Sequence, residues 1–354
     1  MKWIEQQHRY VKDKFLQWRQ LYRSCQKHRV FGLDIGTSSI KVVELCKNEN
    51  GYSVVGAGTA FVQDNNVPKS IRYSVKSAGI KTKFAVCGLC GQETTVRNFS
   101  FPPLLPEEIE GAVSLEARQV CPFNADDGTI DYQVVSGDEK EIKGYLVVAA
   151  NRLLNEKARF VKDSALNPTL MDIDGLAVLN CLRYYNGGKQ GISAVLNVGY
   201  SCTTLAIVGD DDLPFVRDIN FAGKAIIENI AVENQVSPEV VEKIVKGSEH
   251  TPDVLVNIRE NLEAASHKLI SNITETLYYD AVRRKSEIVP ELYLCGGFAI
   301  VDGFADLLKA KLPTEVILWN PFNRMQCSST ACRELLDKKG PTFAVAAGLA
   351  MRQI

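Results

Sequence analysis

The sequence predicts a soluble α/β protein of two similar lobes, with a smaller α+β subdomain inserted into the first lobe. Three observations lead to this fold class. The chain has 354 residues, of which 45% are hydrophobic and 23% charged, and this composition suits a globular protein of more than one domain. A strand–glycine turn–strand pattern at residues 33–45 recurs at residues 196–208. Residues 62–160, between the two copies, alternate short helices and strands in a pattern of their own.

The first element is a predicted amphipathic helix at residues 1–29, a segment without glycine or proline. Its apolar side chains, among them Trp3, Phe15 and Trp18, recur at helical spacing, and its polar face is basic. Eight lysines and arginines against two acids give the segment a net charge near +6. Such a helix either lies on an anionic membrane surface or docks on protein, and the sequence leaves both open.

The remainder of the chain is acidic. The whole chain has a formal charge of −1, so the part after residue 29 is near −7, which argues against a body that binds nucleic acid. No apolar run is long enough to span a bilayer, and the N-terminus lacks the apolar core of a signal peptide. Ten cysteines, mostly within apolar runs, predict free thiols in a reducing compartment. We therefore expect a cytoplasmic protein.

The first glycine turn lies in "VFGLDIGTSSIKVVEL", residues 30–45. Strands flank the turn on both sides, and a third strand follows at "VVGAGTAF", so the pattern predicts an antiparallel meander. Rossmann and P-loop nucleotide sites are excluded here, because both need a helix directly after the glycine turn and the P-loop also needs Gly-Lys-Ser/Thr.

This turn is suited to bind an anion. Backbone amides freed by glycine and three adjacent hydroxyls can donate to phosphate, and these residues are Gly36, Thr37, Ser38 and Ser39. Lys41 adds a positive charge two residues further on. Asp34 would repel a phosphate unless a cation lay between them, so we expect it to hold Mg²⁺ through water. The alternative is that Asp34 only bonds to the amides of its own turn.

The second copy, "LNVGYSCTTLAIV", aligns with the first without a gap. Asn197 takes the position of Asp34, and Gly199 that of Gly36. Such a repeat predicts an internal duplication in which two hairpins face each other and clamp one polyphosphate. A third glycine turn, "YLCGGFAIV", has the pair Gly296–Gly297 between a strand and a helix, where a flat ring or ribose can pack against backbone.

The remaining segments complete the predicted domain organisation. Residues 62–160 read as the inserted α+β subdomain, with helices at "SIRYSVKSAG" and "EEIEGAVSLEARQV" and a proline-marked turn between its strands. The first lobe comprises residues 30–61 and 161–186 and is joined by a C-terminal helix at 341–354. Residues 187–340 form the second lobe.

The three glycine turns occur in the order found in the actin/Hsp70/sugar-kinase ATPase superfamily. More narrowly, residues 30–354 resemble the PilM family of type IV pilus assembly proteins, which is related to the cell-division protein FtsA. The insertion "AVSLEARQVCPFNADDGTIDYQVV" carries this likeness through Glu116, Pro122, Phe123, Asp131 and Tyr132. The resemblance implies an actin-like two-lobed ATPase fold, with duplicated ribonuclease-H-like lobes (1A, then 2A and 2B) and an SHS2-like inserted subdomain 1C.

The resemblance also implies ATP and Mg²⁺ in the cleft. Beyond the first turn, the implied nucleotide-binding residues are Gly199, Tyr200, Ser201, Thr203, Gly223, Glu242, Gly296 and Gly297. Asp174 matches the water-activating residue of hydrolysing relatives. Two departures stand out. Asn197 replaces the usual second acid: it can still hydrogen-bond a metal-bound water but brings no charge, so metal binding and hydrolysis are weakened. Val245 stands where the lysine that follows Glu242 would be. We therefore predict ATP binding with slow or absent hydrolysis.

In the family, a groove between the first lobe and the inserted subdomain grips the cytoplasmic N-terminal tail of the inner-membrane protein PilN. The resemblance thus implies an adaptor, peripheral to the inner membrane, that links the platform to the cytoplasmic pilus motors. Three alternatives remain at the level of sequence. They are a sugar or carboxylate kinase, a membrane-tethered FtsA-like filament protein, and a type II secretion platform component like GspL with an inactive nucleotide site.

Overall fold

A computed structural model describes residues 29–49, 51–188, 191–246 and 257–352. The basic helix predicted at residues 1–29 lies outside the described residues, apart from Arg29. The strands are β1 Val30–Ile35, β2 Ser39–Asn48, β3 Gly51–Phe61, β4 Phe84–Leu89, β5 Thr94–Phe101, β6 Gly128–Gly137, β7 Ile142–Ala150, β8 Asn167–Ile173, β9 Ser193–Val198, β10 Thr203–Val208, β11 Pro214–Ile219, β12 Glu291–Cys295, β13 Glu315–Leu318 and β14 Gln326–Cys327.

The described helices pack on both sides of these strands. They are α1 Val67–Ser77, α2 Pro106–Val120, α3 Asn151–Asp163, α4 Asp174–Tyr185, α5 Gly223–Glu233, α6 Pro238–Val245, α7 Ile258–Arg284, α8 Phe304–Lys311, α9 Thr330–Lys339 and α10 Ala344–Ala350. Within the described ranges, no helix is both long and apolar enough to cross a bilayer.

The predicted duplication is confirmed by the sheets. The first lobe has the strand order β14-β3-β2-β1-β4-β8, and the second has β11-β10-β9-β12-β13. Apart from β14, the two orders are the same: an antiparallel meander of three strands, then two parallel strands added beside its first strand. Each meander begins with the hairpin that carries a glycine turn, so both turns sit at equivalent places in the two lobes.

The boundary predicted for the inserted subdomain is too wide. β4 pairs in parallel with β1 and with β8, so it belongs to the first lobe's sheet. α1 packs on the same sheet through Ile71, and α3 does so through Val161. The separate sheet is β5-β7-β6, covered on one face by α2. The chain leaves the first lobe after β4 and returns to it at α3. Local sequence patterns cannot predict these two points, because strand partners are distant in sequence.

The end predicted for the second lobe is also corrected. Trp319, Phe322 and Leu336 are buried in one cluster with Val54 of the first lobe. β14 pairs with β3, which extends the first sheet by a short sixth strand. Residues 320–340 therefore pack with the first lobe, while Trp319 joins the two lobes: its ring lies edge-on to that of Tyr293 on β12, and its amide donates to the Leu294 carbonyl at 2.8 Å.

The closing helix α10 is buried along its whole length, packed between α4 and the strands β1, β2 and β4 of the first lobe. It consists of small residues because its neighbours are backbone. A methyl group on Gly348 would overlap the Ala177 carbonyl of α4, and one on Gly32 of β1 would overlap the Ala346 carbonyl of α10. The Ala- and Gly-rich sequence of α10 therefore allows backbone of α4 and β1 to approach it directly.

Candidate functional site

The two glycine turns meet. Thr37 Oγ1 in the first turn lies 2.9 Å from Ser201 Oγ in the second, within hydrogen-bonding distance. Both turns are tight: a Cβ on Gly36 would lie 2.8 Å from the Ser39 carbonyl oxygen, and one on Gly199 would lie 2.7 Å from that of Cys202. The two turns therefore face one cleft between the lobes, as the duplicated pattern predicted, and anything placed between them must displace the Thr37–Ser201 contact.

Asp34 and Lys41 are partners in the first hairpin. They are cross-strand neighbours on β1 and β2, and Lys41 Nζ lies 3.1 Å from Asp34 Oδ2. Both side chains are mostly buried, so the pair is better shielded from solvent than a surface ion pair. Lys157 of α3 donates from Nζ to the Ile35 carbonyl at 2.8 Å, which connects this hairpin to α3. Sequence reasoning missed Lys157, which lies on the inward stripe of an otherwise amphipathic helix.

Asp174 is a buried carboxylic acid at the start of α4, only 6% exposed. Its Oδ1 has no hydrogen-bond partner among the described residues. Burial, together with the nearby negative charges of Asp34 and Asp218, raises the pKa of Asp174 to about 8. In the protein without ligand, this environment favours the protonated form of the residue that the family resemblance assigns to water activation. A protonated acid cannot accept a proton from water.

Asp218 on β11 is a site residue that sequence reasoning missed. It accepts hydrogen bonds from the Gly91 amide at 2.6 Å and from Thr204 Oγ1 at 2.5 Å. Thr94 Oγ1 of the inserted sheet donates to the same side chain at 3.4 Å. This carboxylate thus connects the second hairpin to the strand on which the inserted subdomain begins. The sequence gives only a weak indication of this role, namely an acidic residue within the predicted strand "FVRDINF".

The third glycine turn packs beside the second hairpin. Gly296 has φ +102°, and a Cβ there would lie 2.6 Å from Asn197 Oδ1, so this position requires glycine. The Phe298 amide donates to the Val198 carbonyl at 3.0 Å. Gly297 is different: it is exposed, and a Cβ there would meet nothing within 4 Å. Open backbone at Gly297 therefore borders the cleft next to Asn197.

Two more predicted residues lie at the second turn. The Gly223 amide at the start of α5 donates to the Gly199 carbonyl at 3.1 Å. The pKa of Tyr200 is raised by burial and by the carboxylate of Glu242. Glu242 forms an ion pair with Lys246, one turn further along the chain, with Nζ–Oε1 at 2.6 Å.

Lys246 also reaches the first lobe, because its ammonium group lies 4.7 Å from the centroid of the Phe61 ring. One predicted side chain points elsewhere: Thr203 is fully buried and its Oγ1 donates to the Phe221 carbonyl at 2.8 Å. The Thr203 hydroxyl therefore holds the second lobe together and does not face the cleft.

The arrangement is chemically suited to hold a polyphosphate. Turn amides and the hydroxyls of Thr37 and Ser201 offer donors from both lobes. Across the described residues, no group of three or more His, Cys, Asp or Glu side chains is placed as a metal site. Mg²⁺ bound with phosphate needs only one or two carboxylates, and Asp34 is the residue that faces the turn.

Replacing Asp174 with asparagine should stabilise the protein, increasingly so as the pH rises from 4 to 8. The folded protein binds a proton at Asp174 that the unfolded chain has lost, so the stability of the native protein falls with rising pH in this window. The difference should grow by up to about 1.4 kcal/mol per pH unit and level off above pH 8. Denaturant unfolding of both proteins at pH 5, 7 and 8.5 measures it, with Asp302→Asn at an exposed site as control. A pH-independent difference would refute the assignment.

A second feature lies at the junction between the first lobe and the inserted sheet. Arg352 makes a two-point ion pair with Asp172 of β8, with Nε–Oδ2 at 2.5 Å and Nη2–Oδ1 at 2.9 Å. Tyr145 of β7 lies beside this pair, its pKa raised by burial, and its hydroxyl is 3.3 Å from Gln133 Oε1 of β6. Asp131 of β6 also faces Tyr145. We call Asp131, Gln133, Tyr145, Asp172 and Arg352 the junction residues.

The junction is bordered by sheet edges. β8 is the last strand of the six-stranded sheet, and β6 is the last strand of the inserted sheet. In the described part of the chain, neither strand has a neighbour on its outer edge. Free edges next to an aromatic ring and a buried ion pair are the features with which proteins bind extended peptides.

Comparison with known proteins identifies relatives that cover most of the chain. Residues 32–354 match the family model described as type IV pilus assembly protein PilM. The solved PilM-PilN type IV pilus biogenesis complex contains a chain that superposes with a TM-score of 0.77 at 21% identity, covering 92% of this chain and 98% of that one. The ethanolamine utilization protein EutJ of Carboxydothermus hydrogenoformans superposes with a TM-score of 0.52 at 14% identity, covering 91% and 88%.

Among curated proteins, this chain is similar to the cell division protein FtsA. It is 21% identical to that of Enterococcus faecalis over 346 residues, covering 82% of this chain and 78% of the relative. It is 23% identical to that of Streptococcus pneumoniae over 344 residues, covering 82% and 75%. These likenesses establish the fold as that of the actin-like ATPases, as predicted.

Proposed function

The chain belongs to the PilM family of type IV pilus assembly proteins, and we propose that it is an adaptor that binds ATP in its cleft and holds the N-terminal tail of a PilN-type membrane protein. A chain from a solved PilM-PilN complex superposes on this chain with a TM-score of 0.77. That observation carries the choice of partner. In this proposal the protein works at the cytoplasmic side of the inner membrane and passes the partner's position to the pilus motors.

The nucleotide part of the proposal rests on the contact between the two glycine turns. Thr37 and Ser201 already lie 2.9 Å apart, so a phosphate chain that separates them would be bound by both lobes at once. ATP with Mg²⁺ is the ligand that suits turn amides, hydroxyls and one carboxylate. Burial and neighbouring negative charge raise the pKa of Asp174 and so weaken it as a general base, and in this proposal bound ATP is a long-lived ligand that is hydrolysed slowly.

The partner part rests on the junction residues. A membrane-protein tail is short and extended, and an extended peptide can add to a free strand edge while its side chains enter neighbouring pockets. β8 and β6 offer such edges on the two sides of Tyr145. Arg352 and Asp172 neutralise each other's charge through two hydrogen bonds. The bound peptide therefore does not need to supply a charge to pair with either side chain.

Removing the Tyr145 ring should weaken binding of the partner tail. We expect Tyr145→Ala to lower the affinity for a synthetic peptide of the PilN-type N-terminal tail by about tenfold or more, because buried tyrosines dominate such interfaces. Fluorescence anisotropy with a labelled peptide, with and without ATP and Mg²⁺, measures this. Tyr278→Ala is the matched control, because Tyr278 is exposed on α7, a helix that packs in the core of the second lobe.

Equal affinity of the Tyr145 and Tyr278 variants for the peptide would show that the partner tail does not bind at the junction residues. Absence of binding by the native protein, in all nucleotide states, would refute the adaptor function itself.

A further inference from the structure

A basic face covers one side of the first lobe. On α1, Lys69, Arg72 and Lys76 recur at three- and four-residue steps and are all exposed, opposite the buried Ile71. Tyr73, in the same stripe, is 64% exposed. A large aromatic ring left in water among cations is the composition found where proteins meet a membrane interface.

The face continues onto the neighbouring elements. Arg72 Nη1 donates to the Asp163 carbonyl at the end of α3 at 2.8 Å, so α1 and α3 lie side by side. The Asn167 amide, after α3, donates to the Lys83 carbonyl at 2.8 Å, which places the segment before β4 next to both helices. We call the exposed cations of these three segments the basic face, and they are Lys69, Arg72, Lys76, Lys81, Lys83, Arg159 and Lys162.

The charge on this face is not neutralised. Within the described ranges, none of the seven cations is in an ion pair with an acid. The exposed acids on the same segments are Asp64, Glu156 and Asp163. Seven cations against three acids leave a net charge near +4, on a body whose charge after residue 29 is near −7. Positive charge is thus concentrated on one side of an acidic protein.

The basic N-terminal segment joins the chain at this face. The Thr82 hydroxyl, between Lys81 and Lys83, donates to the Arg29 carbonyl. Arg29, the last residue of a segment whose sequence carries a net charge near +6, therefore lies beside the basic face.

We propose that the basic face binds anionic lipid headgroups at a membrane surface and orients the first lobe toward the bilayer. Cations near such a surface attract its acidic lipids, and each strengthens binding by roughly fivefold. A nucleic acid is the less suitable partner, because the rest of the body is acidic and would be repelled by the phosphates that extend beyond the face. The proposal is independent of the nucleotide and of the PilN-type tail.

The test is sedimentation of the full-length protein with vesicles. Native protein should bind vesicles of phosphatidylcholine with about 30% phosphatidylglycerol and not vesicles of phosphatidylcholine alone. The variant Lys69→Gln/Arg72→Gln/Lys76→Gln should bind the anionic vesicles about a hundredfold more weakly, because each of the three charges contributes roughly fivefold. The control Lys309→Gln/Lys338→Gln/Lys339→Gln removes the same charge from exposed positions on α8 and α9 and should change binding by no more than about twofold.

Residues 1–29 are identical in all three proteins, so their contribution cancels in this comparison. Thermal unfolding of each variant establishes that it is folded. Equal binding by the two triple variants, equal binding of native protein to both vesicle types, or binding to neither type would overturn the proposal. So would competition in which a short DNA duplex, and not anionic vesicles, occupies the basic face.

Discussion

Replacing Gly297 with valine should abolish ATP binding while leaving the protein folded. Gly297 is exposed at the third glycine turn, and a Cβ added there would meet nothing within 4 Å. A valine is therefore accommodated in the protein without ligand. If the nucleoside packs against this backbone, the valine methyl groups would occupy its place. We expect the affinity for ATP to fall by about a hundredfold or more, which corresponds to about 2.7 kcal/mol.

Gly111 provides the matched control for this substitution. It lies on the exposed side of α2 in the inserted subdomain, and a Cβ there also meets nothing within 4 Å. Gly111→Val should therefore bind ATP like the native protein. Isothermal titration with ATP and Mg²⁺ measures both variants. Native-like affinity in Gly297→Val would show that the nucleoside, if bound at all, does not lie on the third turn.

Replacing Gly348 with alanine should cause the largest loss of stability. α10 is buried between α4 and the first sheet, and the added methyl group would overlap the Ala177 carbonyl of α4. The overlap is with backbone, so no side-chain rotation can relieve it, and the two helices must move apart. We expect the free energy of unfolding to fall by about 3 kcal/mol or more.

Gly111→Ala is the opposing control, because the same chemical change at an exposed helix position should raise stability by about 0.5 to 1 kcal/mol. Denaturant unfolding followed by circular dichroism measures both variants. If the two substitutions had the same effect, the close approach of α10 to α4 would be wrong.

Much of the fold could be predicted because the sequence contains an internal repeat. Each lobe alone offers a weak pattern of strand, glycine turn and strand. The alignment of Asp34 with Asn197 and of Gly36 with Gly199 turns two weak patterns into one prediction. The strand orders of the two sheets, which are the same apart from β14, confirm it. The contact between Thr37 and Ser201 agrees with the expectation that the two turns face each other.

Other features could not be predicted because they depend on distant parts of the chain. β4 was assigned to the insertion since it lies between 62 and 160, yet its partners are β1 and β8. Asp218 receives hydrogen bonds from Gly91, far away in sequence. Thr203 was expected to face a nucleotide, but strand alternation directs its hydroxyl into the second lobe. The sheet to which β4 belongs, the partners of Asp218 and the orientation of Thr203 are all determined by tertiary contacts, which local sequence patterns do not reveal.

A crystal structure with a non-hydrolysable ATP analogue and Mg²⁺ would decide whether one triphosphate bridges the lobes. We predict that backbone amides from residues 36–39 and from residues 199–201 both lie about 3 Å from phosphate oxygens of a single nucleotide. In that complex the hydroxyls of Thr37 and Ser201 would contact phosphate instead of each other. A nucleotide held by only one of the two turns, or bound elsewhere on the protein, would contradict the account.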